Sequence, residues 1–249
     1  WTTHDAKFTV NVTNHSYTFR DQVRLALENK PFFVLLMVKF TQLFGFSIFI
    51  AALPLLFTRI LDVSYVYLGT YYLFQAGAVI ASQPMWVSLS RKYGKTACYY
   101  VTSVIFAVAS ASWVVGTASD PDWYINVRAL VTGVGAGGLL LIGQSLLPDT
   151  IENDFRRTGL RREGIFSGVY TTVEKFSFAF GPASLGLLLG ALGWVEAQGG
   201  VRVEQSAQAL MAIDIAMLVP TVTMAVSCYC LSRYSLTEDA LAKQPITQI

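Results

Sequence analysis

Apolar residues run along this chain in blocks too long and too continuous for the amphipathic helices or short strands of a soluble core. Six of them reach the roughly 20 mostly apolar residues that a helix needs to cross a bilayer: 31–57, 65–89, 97–117, 121–147, 165–192 and 207–231. Polar positions gather between the blocks, in TRILDVS, SRKYGK, ASD, the stretch 147–164 and GWVEAQGGVRVEQS, with the Gly, Asp, Ser and charged residues of connections. The pattern predicts an all-α membrane protein with six transmembrane helices. Ahead of the first block, TFRDQVRLALENKP has a different rhythm. Thr18 with Asp21 three residues on marks a helix start, and Phe19, Val23, Ala26 and Leu27 fall on one side. Residues 18–30 therefore predict a short amphipathic helix lying on the membrane surface, separated from the first span by Pro31. Polar tails, 1–17 and 234–249, flank the whole.

Composition agrees: 53% of the 249 residues are hydrophobic and 14% charged, and the mean hydropathy is +0.48, which excludes an ordinary soluble globule. The net charge of +2 says little, but its placement says more. If both tails, SRKYGK and 147–164 share one side, that side collects thirteen Lys and Arg residues and the other only Arg59 and Arg202. Positive residues favour the cytoplasm, so both ends and 147–164 are expected there. The sequons at Asn11 and Asn14 then fall on the side where glycosylation does not occur and read as chance. With no starting Met and Trp1 inside a polar tail, the chain is expected to be a fragment. Cys98, Cys228 and Cys230 lie in or at the ends of spans without a CxxC or a nearby His, so neither a metal site nor a disulfide framework is indicated. No HExxH, GxSxG or intramembrane His supports a membrane-embedded enzyme. No cofactor and no nucleic-acid partner are expected.

Two motifs have bland readings. GVGAGG, residues 133–138, satisfies GxGxxG, but a dinucleotide site needs a preceding strand and a helix that starts at the glycines. In mid-span they predict a small-residue face that lets helices approach closely. Gly181-Pro182 reads as a bend or break in the fifth span. Charges inside spans carry more information, because each costs about 2.5–3.5 kcal/mol at a helix centre on insertion scales. Lys175 lies about 16 Å from Gly164 along a helix, near the midplane, with Thr171 one turn earlier on the same face. Its neighbour Glu174 points about 100° away. Lys39 and Gln42 are similarly deep in the first span, about 12 Å in from Pro31. Arg128 is shallower and is expected to snorkel outward, and Asp214 sits two turns into the last span. Lys175, Thr171, Lys39 and Gln42 are the candidate substrate and cation-site residues. Structural ion pairs or hydrogen bonds inside a helix bundle are the alternative for each.

LPDTIENDFRRTGLRREG followed by IFSGVYTTVEKF resembles the segment joining helices ten and eleven of the glycoside-pentoside-hexuronide:cation symporter family, a melibiose-carrier-like branch of the major facilitator superfamily. FRDQVRLALENKPF resembles that family's lead-in to helix seven, and SRKYGK the superfamily's basic loop between helices eight and nine. The resemblance covers essentially the whole chain and implies the C-terminal half of a twelve-helix carrier, with a small-molecule substrate, the lipid bilayer and an N-terminal half as its partners. It implies symport of a sugar, glycoside or related solute, with the coupling cation, Na+ or H+, held mainly by acidic residues of the absent half. On this resemblance Lys175 and Thr171 match the helix-eleven Lys and the Thr beside it, whereas Lys39 is named only from burial. The segment is also similar to lysophosphatidylcholine carriers, so a lipid cargo stays open, as does a membrane sensor or scaffold that keeps the fold. The intact TGLRREG points towards the bacterial carriers and an inner-membrane location. Between 147 and 164 lie four acidic and four basic residues. Of these, Asp149, Asp154, Arg161, Arg162 and Glu163 are expected to form a cytoplasmic gate whose ion pairs close and release.

Overall fold

The computed structural model describes residues 18–195, 203–234 and 236. The 1–17 tail with its sequons, Arg202, and nearly all of the 234–249 tail lie outside the described residues. All regular structure among the described residues is helical. Helix α1, Phe19–Glu28, starts at Thr18, whose hydroxyl accepts from the Asp21 amide while the Asp21 carboxylate accepts from the Thr18 amide. It ends at Asn29, which in turn caps α2, Lys30–Leu55, by accepting the Phe32 amide at 3.2 Å. Pro31 falls in the first turn of α2, where its missing N–H has no helical partner to lose. Past Pro54, α2 runs into a single π turn, Leu56–Ile60.

Helix α3, Tyr65–Tyr93, is joined to α4, Lys95–Ala111, through Gly94 alone, whose φ of +87° only glycine adopts cheaply. A 3-10 turn, Ser112–Val115, ends α4. Then come α5, Asp122–Thr158, α6, Glu163–Ala191, and α7, Ala207–Ser232. Two expectations change. The stretch 147–164 is not a loop throughout: α5 passes through Pro148 to Thr158, giving 37 residues and a length of about 55 Å. The Glu152–Arg156 pair one turn apart, at 2.7 Å, and the basic residues Arg156 and Arg157 near the negative end of the helix dipole support that extension. Only Gly159, left-handed at φ +67°, stops it, so the connection shrinks to residues 159–162. Likewise α6 stays helical through Gly181-Pro182. Gly181 serves close approach instead: a Cβ there would collide with Ser47 of α2.

Among the described residues, four helical stretches are long and apolar enough to cross a membrane: Lys30–Ile60, Lys95–Val115, Asp122–Thr158 and Ala207–Ser232. Helices α3 and α6 have 29 residues each but are more polar, α3 with Gln75, Ser82 and Gln83 and α6 with Glu174 and Lys175. Packing follows two sheets of contact, α3 on α5 and α2 on α6 and α7, tied together by α4, which touches both α5 and α7. The glycine run makes the α3–α5–α4 contact possible. A Cβ on Gly133 or Gly137 would strike the Gln75 carbonyl or the Ser82 hydroxyl of α3, and one on Gly135 or Gly138 would strike the Phe106 backbone or Thr102 of α4. The close approach lets the Trp86 indole N–H donate to the Val134 carbonyl at 2.9 Å. Towards one end of the bundle, Phe57, Tyr71 and Trp113 meet with ring centres 5.6–5.7 Å apart.

Candidate functional site

The charged residues inside the helices fall into separate groups. Lys39 of α2 is 2% exposed, and its ammonium lies 3.0 Å from Glu174 Oε1 of α6 and 5.2 Å from the centre of the Tyr170 ring. The same carboxylate oxygen accepts from the Gln144 side-chain amide of α5 at 2.8 Å. Tyr170 is fixed by donating to the Gly143 carbonyl at 2.9 Å. Three helices thus contribute to one ion pair, buried on its Lys39 side and partly open at Glu174, in which each partner offsets the other's desolvation.

Gln42, one turn along α2 from Lys39, is buried in a neighbouring network. Its amide donates to the Leu139 carbonyl at 3.2 Å, and its oxygen accepts from the Tyr99 hydroxyl at 3.2 Å. Tyr99 also lies 2.7 Å from the Ser227 hydroxyl, so the network links α2, α4, α5 and α7. Lys39 and Gln42 are therefore in the core of this bundle. Lys175 and Thr171 are on an exposed face of α6, and Lys175 has no ion pair with any described residue. The structure brings Lys39 together with Glu174, not with Lys175.

Arg128 does not snorkel. It is 4% exposed, with its guanidinium 4.0 Å from the Tyr124 ring centre, 4.6 Å from that of Trp113, and Nη1 3.3 Å from Asp120. Two aromatic faces and an acid meet its charge inside the fold, while Nε and Nη2 make no hydrogen bond with any described residue. Asp214 is half-buried on α7, without a hydrogen bond or ion pair to any described residue.

At the far end of the long α5 the candidate gate residues divide. Asp154, 4% exposed, takes a forked contact from Arg162, with Nη2 2.8 Å from both carboxylate oxygens and Nε at 3.1 Å. It also accepts from Asn29 at 3.2 Å, so the cap of α2, the end of α5 and the start of α6 are joined at one carboxylate. Phe32 and Phe166 pack beside it with ring centres 4.5 Å apart. Asp149 pairs elsewhere, with Lys95 at the start of α4, at 2.6 Å. Arg161 and Glu163 are exposed and 3.9 Å apart. Tyr234, just past α7, exchanges a 2.9 Å hydrogen bond with Thr150, and burial pushes its phenol up to about 12, so it stays neutral. Glu174, Gln144, Tyr99, Asn29 and Lys95 were not among the sequence candidates. Glu174 carried a signal, as an acid inside a predicted span, but which lysine it meets depends on helix-to-helix register, which no local pattern encodes.

The geometry is that of a helical bundle with charge placed sparingly and in pairs, and comparison with known proteins gives it a family. An uncharacterized symporter of Synechocystis sp. (strain ATCC 27184 / PCC 6803 / Kazusa) is 30% identical over 151 residues, which make up 60% of this chain and 27% of the symporter. The chain thus covers well under two thirds of that relative's length. The family model described as MFS/sugar transport protein matches residues 1–238. With that match over nearly all of its length, this helical integral membrane protein belongs to the MFS/sugar transport protein family.

Proposed function

We propose that the chain is the C-terminal half of a cation-coupled symporter for a sugar, glycoside or related small solute, working by alternating access between two six-helix halves. On this reading α2 to α7 are the six spans, and both ends of the chain are cytoplasmic, in a bacterial inner membrane. The observation that carries it is the Lys39–Glu174 pair, set in the interior of a family-matched bundle beside the exposed Lys175 on the same helix. Charge at that depth is costly, and a polar path for a solute or ion is the usual reason to keep it. Lys175 and Thr171 then face the solute and cation site between the halves, with Lys39 and Gln42 behind them. The coupling cation is held mainly by the other half.

The joint of Asn29, Asp154 and Arg162 supplies a mechanism for the cytoplasmic side. While the forked contact is made, the ends of α2, α5 and α6 are clamped. Opening the cytoplasmic side must break or rearrange it, so its energy biases the equilibrium between the two states. Uptake into proteoliposomes by the full-length protein, comparing sugars with lysophospholipids under imposed sodium and proton gradients, tests the reading. Sugar accumulation that follows one of the gradients is expected. Lysophospholipid transfer without sugar uptake would make it a lipid carrier, and no transport of either would leave the sensor or scaffold reading.

A further inference from the structure

The Glu174 carboxylate is used asymmetrically. Oε1 takes both the Lys39 ammonium at 3.0 Å and the Gln144 amide at 2.8 Å, while Oε2 makes no hydrogen bond with any described residue. Lys39 is buried beneath it, but the Glu174 side chain is 21% exposed and Gln144 is exposed. One turn further along α6, Phe178 shares the face of Glu174 and is 44% exposed. A carboxylate oxygen with free lone pairs, an amide oxygen beside it and an open aromatic ring one turn away are the groups that receive a polyhydroxyl ring. The oxygens accept its hydroxyls, and the ring covers its C–H face. The ion pair and the Gln144 amide hold the carboxylate in place in an oily setting. That suits a neutral solute, because binding then brings in no further charge to compensate.

Resting on the sugar-carrier reading above, we propose that Glu174 is a sugar-binding residue: its Oε2 accepts hydroxyl hydrogen bonds from the solute, Phe178 packs on the sugar ring, and Lys39 is a positioning residue that acts through Glu174. A purely structural Lys39–Glu174 pair makes a different prediction, since removing both charges together would then restore a normal protein.

The test uses the full-length protein in proteoliposomes with radiolabelled melibiose, lactose and D-xylose, and monodeoxy analogues of whichever sugar is taken up. Glu174→Gln should raise KM about 10-fold or more and flatten the penalty that wild type shows against one deoxy analogue. Glu174→Gln alone leaves the buried Lys39 without a counter-charge and can fail to fold. The double variant Lys39→Met/Glu174→Gln removes the pair as a unit, so its uptake is measured per folded molecule. It should fold like wild type and keep the raised KM and the flattened deoxy profile. Wild-type KM and deoxy discrimination in the double variant would overturn the role of Glu174 while leaving the carrier reading intact. Failure of wild type to take up any of the three sugars would overturn the sugar reading and this inference with it.

Discussion

A guanidinium stacked between two rings and an ammonium ending on an open helix face make opposite predictions. Arg128 is enclosed by Trp113, Tyr124 and Asp120, so Arg128→Ala leaves a cavity and strands a partly buried acid. It should cost about 2–3 kcal/mol, seen as a lower thermal midpoint in detergent, with uptake per folded molecule unchanged. Arg128→Lys should fall between, keeping the charge but losing the planar stack. Lys175 makes no ion pair with any described residue, so its removal leaves no described partner stranded. Lys175→Ala should insert and fold normally yet abolish coupled uptake, and Lys175→Arg should not rescue it fully, because a five-donor fork does not fit the place of a compact ammonium. Wild-type turnover in Lys175→Ala would end the functional claim for that residue. Arg128 and Lys39 show what sequence reasoning lacks here. Each charge was visible as an expense inside or beside an apolar block, but whether it is met by a neighbour eight residues away, as for Arg128, or by one on another helix, as for Lys39, depends on rotation about helix axes.

Whole helices were more legible, because the signals that start and stop them are local. Thr18 and Asp21 form their capping box, and the glycine run packs against α3 and α4 as small residues in mid-span should. The misreading of 147–164 has a definite cause. Hydropathy marks where a helix leaves the apolar layer, not where its hydrogen-bond ladder stops, and polar residues paired one turn apart carry α5 on to Gly159. No break occurs at Gly181-Pro182, where the glycine serves close packing, and its contact with Ser47 was invisible in one dimension. Packing also sets the sign of a mutation. An alanine in place of a helical glycine ordinarily stabilises by about 0.5–1 kcal/mol. Gly77 of α3, where a Cβ meets nothing within 4 Å, should behave that way. Gly138→Ala drives its methyl into Thr102 and Trp86 and should instead cost about 1–3 kcal/mol. Thermal midpoints of the two variants, measured side by side in one detergent, check the contrast. Equal shifts of the same sign would mean that α4 and α5 are not in close contact at Gly138.

At the scale of the molecule, the polar joints beyond the core gather several helix ends. Lys95 at the start of α4 meets Asp149 of α5, Asn29 at the head of α2 and Arg162 ahead of α6 meet Asp154, and Tyr234 past α7 meets Thr150. All of these anchor on the last three turns of α5, so the starts of α2, α4 and α6 and the end of α7 share one end of the bundle. Arg91, Lys92, Lys95, Arg156, Arg157, Arg161, Arg162 and Arg233 lie in or next to those helix ends, whereas Arg59 follows the other end of α2. The positive-inside bias then acts on a set of ends held together by contacts, not on loops taken one by one, and predicts that this end is cytoplasmic. Single cysteines placed in a cysteine-free background test it with an impermeant maleimide on intact cells. Asp62→Cys, in the connection after the π turn, should react from outside, and Arg157→Cys, exposed in the last turn of α5, only after permeabilisation. The reverse pattern would invert the orientation and move the Asp154–Arg162 clamp to the outer face. Labelling of both positions in intact cells would mean that Asp62 and Arg157 do not lie on opposite sides of the membrane, so α5 could not be read as a span between them.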